Sequence, residues 1–493
     1  MWKKLLSLLS DASLYGLSTV AGQLVSFLLL PLYTRHLSPA DYGILAMLNV
    51  ALMLTVGLAP LGVVDAIFRR LSLCRDMNDK RRELSTALWS VVGSTTLFLT
   101  CGLLSASILS RILVGDVSST HYVRVTLLTA SLIAIGEVPR ALLRANRKVW
   151  ILALVSLCKV SVTIAFTAYA IVALEKGVLG YVLANLLSEL LFVLVFGALV
   201  FRSFSLSFCT SAWRAMLKYG LPILPHRCLA FITLVFGQYT VRQLMGLEQA
   251  GLYDMANKFA LPLGMLINAF QSAWHPFKFQ IHAEETSPTD FFRSAFTYYV
   301  AMTACLWVVG SCWLPDVLRY MTTPGFYPAA TFLPVVLLVR VLTGVYYMLG
   351  SGIELSDNTR PLALISACGL VTVASFSYLL IPAVGAQGAA YANCIGWIAM
   401  GAVALQLANS RIYIGYEWKV IFLIAMSAIV FVTIAVQLQT SDALIRILAG
   451  TIVSLAFPVI VLSILARYSG ESGRVRRRLA MLYGIAHAGS VSP

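Results

Sequence analysis

The sequence has little charge and lacks the residue patterns that build metal or redox sites. Of its 493 residues only 12% are charged, whereas 59% are hydrophobic. The nine cysteines include no C-x-x-C pair and the six histidines do not cluster, so neither a disulfide framework nor a metal site is indicated. No polar stretch is long enough for a soluble domain. Because the mean hydropathy of +0.85 exceeds what a soluble core requires, the composition indicates an integral membrane protein.

Apolar runs of about twenty residues, the length that carries a helix across a bilayer, follow one another along the chain. Helices are expected because backbone groups in lipid must bond within their own segment. The first run follows Lys3 and Lys4 and continues to Leu32 without the small residues of a cleavage site, so we expect a retained first helix. We predict an all-α integral membrane protein with 14 transmembrane helices, at residues 12–33, 43–66, 86–110, 122–140, 149–173, 179–201, 219–240, 251–272, 294–315, 330–350, 361–382, 386–408, 419–438 and 443–466.

The basic residues are distributed unevenly among the predicted connections. With the N-terminus in the cytoplasm, the cytoplasmic segments hold 25 of the 36 lysines and arginines, and the opposite segments hold 7. This bias predicts that both termini are cytoplasmic. It also accounts for the net charge of +15 without a nucleic-acid partner. The basic tail from Arg474 to Arg478 is expected to lie on anionic lipid headgroups.

Fragments of the first half recur in the second half, in the same order and at offsets of 206 to 210 residues. Gly43, Met47, Asn49, Gly177, Gly180 and Asn185 recur as Gly251, Met255, Asn257, Gly385, Gly388 and Asn393. Such an echo predicts a duplicated bundle. Because each half contains an even number of spans, six, the two lobes are predicted to be parallel, related by a pseudo-twofold axis along the membrane normal. The predicted units are an N-lobe (1–202), a C-lobe (203–410) and an appended pair of spans with a basic tail (411–493).

Apart from residues near the span ends, such as Asp65 and Glu137, the charged residues within the predicted spans are Lys159, Glu189, Arg227, Asp254, Lys258 and Arg340. A charge at the centre of a spanning helix costs about 2.5–3.5 kcal/mol even on a mild scale, so each is a candidate functional residue. Asp254 and Lys258 are four residues apart and share one helix face. Lys159 on span 5 can meet Glu189 on span 6. Both pairs are compatible with a functional role or with a packing lock.

Arg227 and Arg340 have no evident carboxylate partner at their depth. Because an arginine cannot lose its proton, we expect each to face a wet cavity and bind an anion. For Arg340 the alternative is snorkelling, over about 15 Å to either surface. Pro222 and Pro225 predict either a broken span 7 or an ordinary proline kink. The neighbouring His226 is a candidate proton carrier, with a plain hydrogen-bonded histidine as the alternative.

Arg35 and Arg242 occupy equivalent outer turns, after spans 1 and 7. Both are candidates for an outer gate. The alternative is that they are ordinary solvated turn residues.

One stretch of the sequence closely resembles a known family. The run Leu30–Gly43, LPLYTRHLSPADYG, resembles the first outer loop of polysaccharide-biosynthesis flippases of the MOP superfamily, the Wzx exporters of O-antigen and exopolysaccharide. Similar matches are Tyr219–Pro222 at the opening of the second half, Gly251–Tyr253 at the start of span 8 and Ala273–Phe277 at its inner end. The resemblance covers spans 1 to 12.

This resemblance implies a flippase in the bacterial inner membrane, not an enzyme. Its substrate would be an oligosaccharide linked to undecaprenyl diphosphate, moved from the inner to the outer leaflet by alternating access of the two lobes. The diphosphate would be held by Arg227, Arg340 and Lys258, with Lys159 as a weaker candidate. Trp274, Tyr346 and Tyr347 are candidates for stacking on sugars, with interfacial anchoring as the alternative for Trp274. The in-span cations therefore lead us to expect that the C-lobe grips the phosphate while the N-lobe shapes the path.

The resemblance also implies partners and coupling. No cofactor is expected beyond coupling to H⁺ or Na⁺, for which Glu189, Asp254 and His226 are candidates. Membrane lipids, a polysaccharide polymerase and a chain-length regulator are the expected partners. One departure concerns span 1, which has no basic residue between Asp11 and Arg35. Lipid II flippases, which have a similar architecture, carry arginines there, so a peptidoglycan precursor is disfavoured as the substrate.

Two other classes of function are weighed against the flippase. A multidrug and toxin extruder of the related family would exchange cations for Na⁺ or H⁺, but cation export requires in-span carboxylates and the deep charges here are mostly basic. A membrane polysaccharide polymerase or acyltransferase would need a large polar loop or an acid–base constellation, and neither is visible.

Overall fold

The computed structural model describes residue 27 and residues 30–64, 66–67, 70, 77–145, 149–201, 204–205, 207–284, 288–354, 361–410, 413–439 and 443–468. Within these ranges the chain is helical and contains no strand. The first half forms α1 Leu30–His36, α2 Pro39–Leu58, α3 Met77–Leu104, α4 Ala106–Leu113, α5 Thr120–Ala145, α6 Val149–Ala168 and α7 Gly177–Val200. The second half forms α8 Thr210–Gly220, α9 Leu224–Phe259, α10 Leu261–Glu284, α11 Pro288–Met321, α12 Leu333–Leu349, α13 Ser351–Glu354, α14 Pro361–Val384 and α15 Gln387–Asn409, followed by α16 Trp418–Leu438 and α17 Ala443–Tyr468.

Most of the predicted spans correspond to helices of the structure. Among the described residues, 11 helices are long and apolar enough to cross a membrane, and they match predicted spans 2–6 and 9–14. The first predicted span lies mostly outside the described residues. Spans 7 and 8 fall in α9 and α10, whose boundaries differ from the prediction.

The connection between spans 7 and 8 is shorter than the predicted turn at residues 241–250. The chain is helical up to Met245 and again from Leu247, so the break consists of Gly246 alone, with φ 89° and ψ 178°. Backbone at this φ and ψ is essentially restricted to glycine. The next break follows Phe259, where Pro262 provides no N–H for the carbonyl of Lys258.

The two lobes meet where α2 packs against α9. Gly43 of α2 and Gly251 of α9 are equivalent positions of the repeat, and each lies against the backbone of the other lobe. A Cβ on Gly43 would be 1.9 Å from the Leu247 carbonyl oxygen, and a Cβ on Gly251 would be 1.9 Å from the Pro39 carbonyl oxygen. Only a residue without a side chain allows this approach, so the repeated glycine builds the interface between lobes.

A second pair of equivalent glycines shares an unusual backbone conformation. Gly177 and Gly385 both have positive φ, of 51° and 78°; Gly177 is the first residue of α7, and Gly385 lies two residues before α15. One turn later, Gly180 and Gly388 each lie against the backbone of the preceding helical segment. The sequence echo therefore corresponds to repeated local geometry.

The last two helices, which have no echo, dock on α11. Trp313 Nε1 donates to Ser454 Oγ at 3.0 Å, and Gln439 Nε2 donates to the Ser311 carbonyl at 3.2 Å. Arg446 Nε lies 2.8 Å from Asp316 Oδ1. The appended pair is thus attached to the C-lobe by polar contacts.

Candidate functional site

A cavity of about 330 Å³ lies in the N-lobe, and three of the in-span charges, Lys159, Glu189 and Lys258, line it. Its lining comes from α1, α2, α5, α6 and α7, with Lys258 and Leu261 added from the C-lobe. The volume is at the lower end of the range for small-ligand sites, about 300–1,000 Å³. A site of this size holds part of a large ligand.

Lys159 and Glu189 form a direct ion pair in the wall of this cavity. Glu189 is 4% exposed, and its Oε1 also lies 3.6 Å from Arg140 Nη2. Each of the two cations offsets part of the cost of burying this carboxylate. The pair that the sequence predicted is therefore present, as part of a larger cluster.

The cluster continues along α5 away from the cavity. Arg140 Nη1 lies 3.5 Å from Glu137 Oε1, and Glu137 Oε2 lies 3.8 Å from Arg144 Nη2. Arg140 also donates to the carbonyls of Gly136 and Ile133, at 3.0 and 2.8 Å. An alternating row of charges thus connects the cavity with the end of α5.

Lys258 reaches the cavity from the other lobe. Its Nζ lies 3.1 Å from Asp254 Oδ2 and 4.4 Å from the ring centre of Tyr42 in the N-lobe. Gln238 Nε2 donates to Asp254 Oδ1 at 3.1 Å, which fixes the carboxylate. The predicted pair is present, and its ammonium group is also held across the lobe interface by a cation–π contact.

The uncharged part of the lining is rich in hydroxyl and aromatic groups. Tyr33 and Tyr181 pack edge to face with ring centres 6.0 Å apart, and Asn185 Nδ2 donates to the Tyr181 carbonyl at 2.8 Å. Thr163 and Thr167 line the same space. Rings and hydroxyls of this kind can contact the apolar faces and the hydroxyls of sugars.

Sequence reasoning missed these aromatic and hydroxyl residues, although two signals were available. Lys159, Thr163 and Thr167 are four residues apart on α6, and Tyr181, Asn185 and Glu189 are four residues apart on α7. Each set forms one polar stripe along an otherwise apolar helix.

Trp274, a predicted sugar-stacking residue, lies away from the cavity. Trp274 is buried in a cluster with Phe270, Phe291 and Phe292, and its Nε1 donates to Ser351 Oγ at 3.2 Å. It is neither at the cavity nor exposed as an interfacial anchor. The residue is part of the C-lobe core.

Arg340 does not line the cavity. Its Nη2 donates to Asn257 Oδ1 at 3.3 Å, and among the described residues no carboxylate forms an ion pair with it. Asn257 directly precedes Lys258 on α9. Arg340, on α12, therefore ties down the helical turn that presents Lys258 to the cavity.

Arg227 is also away from the cavity. It lies in the first turn of α9, partly exposed, and it makes contacts within the described part of the chain. The side chain of the neighbouring His226 lies outside the described residues. The cavity lining thus brings together Lys159, Glu189 and Lys258, with Asp254 as the partner of Lys258, but not Arg227 or Arg340. That the C-lobe grips the phosphate while the N-lobe shapes the path stays a prediction; the lining is mostly N-lobe, and α6 contributes Lys159.

Arg242 links the two lobes at the end of the molecule where α1 connects to α2, here called the α1–α2 end. Its Nη1 donates to the Ile112 carbonyl at the end of α4, at 3.2 Å, and to Gln243 Oε1 at 2.8 Å. Gly115 has φ 91°, and a Cβ there would be 1.9 Å from Arg242 Nη2. The guanidinium therefore occupies space that a side chain at position 115 would fill.

Other contacts at the same end involve the segment that precedes α12. Thr323 Oγ1 donates to the Thr34 carbonyl at 3.0 Å, and Phe326 packs on Tyr42 with ring centres 5.1 Å apart. Arg35 is exposed, and within the described ranges no hydrogen bond or ion pair involves its side chain. Of the two predicted gate residues, only Arg242 forms a contact between lobes.

The chain is similar to known proteins both in sequence and in fold. Residues 8–282 match the family model described as polysaccharide biosynthesis protein. No curated protein sequence matches the chain. The fold is similar to that of the lipid II flippase MurJ in an inward closed conformation, with TM-score 0.71 and 14% identity over 92% of this chain and 100% of the other.

Two further solved structures have the same fold. An inward-facing multidrug resistance MATE transporter of the MOP superfamily matches with TM-score 0.66 and 17% identity over 79% of this chain and 94% of the other. A MOP superfamily transporter from Pyrococcus furiosus, reported with reversed polarity of its binding pocket, matches with TM-score 0.60 and 17% identity over 81% and 95%. The architecture is therefore that of a multi-pass membrane protein of the MOP type.

Proposed function

The chain belongs to the polysaccharide biosynthesis protein family, and from this premise we propose that it is a flippase for oligosaccharide linked to undecaprenyl diphosphate. It moves this lipid from the inner to the outer leaflet of a bacterial inner membrane during synthesis of a surface polysaccharide such as O-antigen or exopolysaccharide. Both termini are cytoplasmic in this proposal. A polysaccharide polymerase and a chain-length regulator use the product.

One observation carries the proposal: the cavity combines two lysines from opposite lobes with a lining of tyrosines, threonines and an asparagine. The substrate is an amphiphile whose charged and sugar-bearing head must cross about 30 Å of hydrocarbon. Lys159 and Lys258 supply positive charge for the diphosphate through charge-assisted hydrogen bonds. The tyrosines and threonines supply surface for the first sugars.

Each lysine already has a carboxylate partner, so the diphosphate must compete with a carboxylate for each ammonium group. A diphosphate that binds Lys159 competes with Glu189, and Glu189 then keeps Arg140 as its partner at 3.6 Å. In the same way, Asp254 keeps the amide of Gln238 when Lys258 turns to the substrate. Neither carboxylate is left without a partner by substrate binding.

In this proposal, alternating access depends on the contacts at the end of the molecule where α1 connects to α2. The charge bias predicts that this is the outer end. Arg242 on Ile112 and Thr323 on Thr34 hold the lobes together there. These contacts close the outer mouth and separate when the substrate leaves. Glu189 is the candidate group for coupling to H⁺ or Na⁺, because it lies between the cavity and the charge row of α5.

Complementation of a flippase-deletion strain tests the proposal. Lys159→Ala combined with Lys258→Ala is expected to abolish export of surface polysaccharide while the protein still inserts. The matched control is Arg124→Gln combined with Lys176→Gln, two exposed cations at the α1–α2 end of the N-lobe, which should export normally. Full complementation by the cavity variant would refute the assignment of the site.

A second candidate function has one observation in its favour. Glu189 in the cavity wall is a carboxylate of the kind that binding of a cationic drug would require. The fold is also similar to that of a MATE transporter. Drug-susceptibility assays discriminate the two. A multidrug antiporter would confer resistance that Glu189→Gln removes, whereas the flippase confers none.

A further inference from the structure

The connection between the lobes is a basic segment with an amphipathic helix. The sequence contains no acidic residue between Glu189 and Glu248. Within this stretch α8 buries Ala212, Met216 and Gly220, each four residues apart, against the bundle. Arg214 and Lys218, also four apart, are exposed on the other face.

Hydrogen bonds fix the depth of α8 relative to the membrane. Cys209 N donates to Thr86 Oγ1, and Trp213 Nε1 donates to Ser90 Oγ, both at 3.0 Å. On α3 the polar first turns, which carry Lys80, Arg81 and Arg82, end here and the apolar stretch begins at Ala87. Trp213 therefore lies at the boundary between headgroups and hydrocarbon, a depth at which tryptophan is enriched.

Arg214 and Lys218 lie on α8 within two turns of that boundary, close enough for their long side chains to extend to the headgroup phosphates. Among the described residues, no ion pair involves either side chain. Arg82 of α3, also exposed, lies one helical turn before Thr86, which accepts the hydrogen bond from Cys209 N. The surface thus combines several cations with a boundary tryptophan.

We propose that Arg214 and Lys218 bind the phosphate of an anionic phospholipid, so that α8 anchors the connection between the lobes to the membrane surface. The charge bias of the chain places α8 on the cytoplasmic side, where anionic lipids attract basic segments. An amphipathic helix with arginine and lysine on its polar face is suited to this position. The site is separate from the transport cavity and does not depend on the proposed substrate.

Native mass spectrometry of the full chain in detergent, titrated separately with phosphatidylglycerol, phosphatidylcholine or undecaprenyl phosphate, tests this inference. Wild type should retain phosphatidylglycerol in preference to phosphatidylcholine. Arg214→Gln with Lys218→Gln should weaken phosphatidylglycerol retention by roughly 5-fold for each charge removed. Both side chains are exposed, so the variant should elute as a monodisperse peak in size-exclusion chromatography.

The control is Arg124→Gln with Lys176→Gln, which removes the same charge from the opposite end and should bind phosphatidylglycerol like the wild type. Equal affinity of wild type and the α8 variant for phosphatidylglycerol would overturn the inference. It would also be overturned if only undecaprenyl phosphate bound at α8, since the occupant would then be the transported lipid.

Discussion

Neighbouring side chains of opposite charge explain why charged residues can line a cavity within a membrane. Lys159 and Lys258 each have a carboxylate neighbour, and Glu189 has a second cation in Arg140. This arrangement lowers the cost of burying the charges while leaving two ammonium groups at the cavity. An anion can therefore be bound by exchange of partners, without creating an isolated buried charge.

Replacing Glu189 separates the structural role of the cluster from its role in transport. Glu189→Gln leaves Lys159 and Arg140 without their shared counter-charge, and we expect a loss of stability of about 3–5 kcal/mol, as for other broken buried pairs. Glu189→Leu with Lys159→Met removes both members of the central pair and should recover much of that stability but no export. Thermal unfolding in detergent and complementation measure the two properties. Recovery of export by the apolar pair would show that the lysine is only a packing group.

Arg340 is expected to act through Asn257. Arg340→Ala removes a hydrogen bond from a charged donor, an interaction of about 1.5–3 kcal/mol, and should lower export roughly tenfold or more. Arg340→Lys should restore part of it, because an ammonium can donate to Asn257 but without the geometry of a guanidinium. Asn257→Ala should reproduce the Arg340→Ala defect. Normal export by Asn257→Ala would instead indicate that Arg340 contacts the substrate directly.

The sequence allowed the charged part of the site to be predicted but not the rest. Lys159 with Glu189 and Asp254 with Lys258 were predictable because a charge in a span needs a partner within reach. Arg140, the last residue of predicted span 4, was not predicted to contribute, although its guanidinium extends back along α5 to Glu189. Tyr33, Tyr42 and Tyr181 were missed because a tyrosine near a span end looks like an interfacial anchor.

At the scale of helices, equivalent glycines determine how the lobes meet. A side chain on Gly43 would collide with the backbone of Leu247, and backbone cannot move aside as a side chain can. We expect Gly43→Ala to separate α2 from α9 and to lower the thermal stability by several degrees. Gly93→Ala on α3 is the matched control, because a Cβ at this helical position meets no atom within 4 Å. Alanine there should be neutral or stabilise by up to about 1 kcal/mol, the helix propensity difference.

Helix positions were predictable because hydrophobic runs of spanning length are a strong signal. The error at spans 7 and 8 has a local cause. The polar residues at 241–250 suggested a long turn, but Gly246 adopts φ 89° and ψ 178° and lets helix continue on both sides. A hydropathy profile does not detect the backbone conformation of a single residue.

The whole molecule is a duplicated bundle whose halves have diverged in charge. The resemblance to the polysaccharide biosynthesis protein family is confirmed by the family match over residues 8–282. Both lobes nevertheless contribute charge to one cavity, since Lys159 and Glu189 of the N-lobe line it together with Lys258 of the C-lobe. A site shared between lobes changes when the lobes move, as transport by alternating access requires.

Direct binding of undecaprenyl diphosphate to the purified protein tests the central claim, that the two cavity lysines hold the diphosphate. Each charge-assisted hydrogen bond contributes about 1.5–3 kcal/mol, so Lys159→Ala and Lys258→Ala should each weaken binding roughly 10- to 100-fold, while Arg124→Gln with Lys176→Gln should bind like the wild type. Wild-type affinity in both lysine variants would contradict the account.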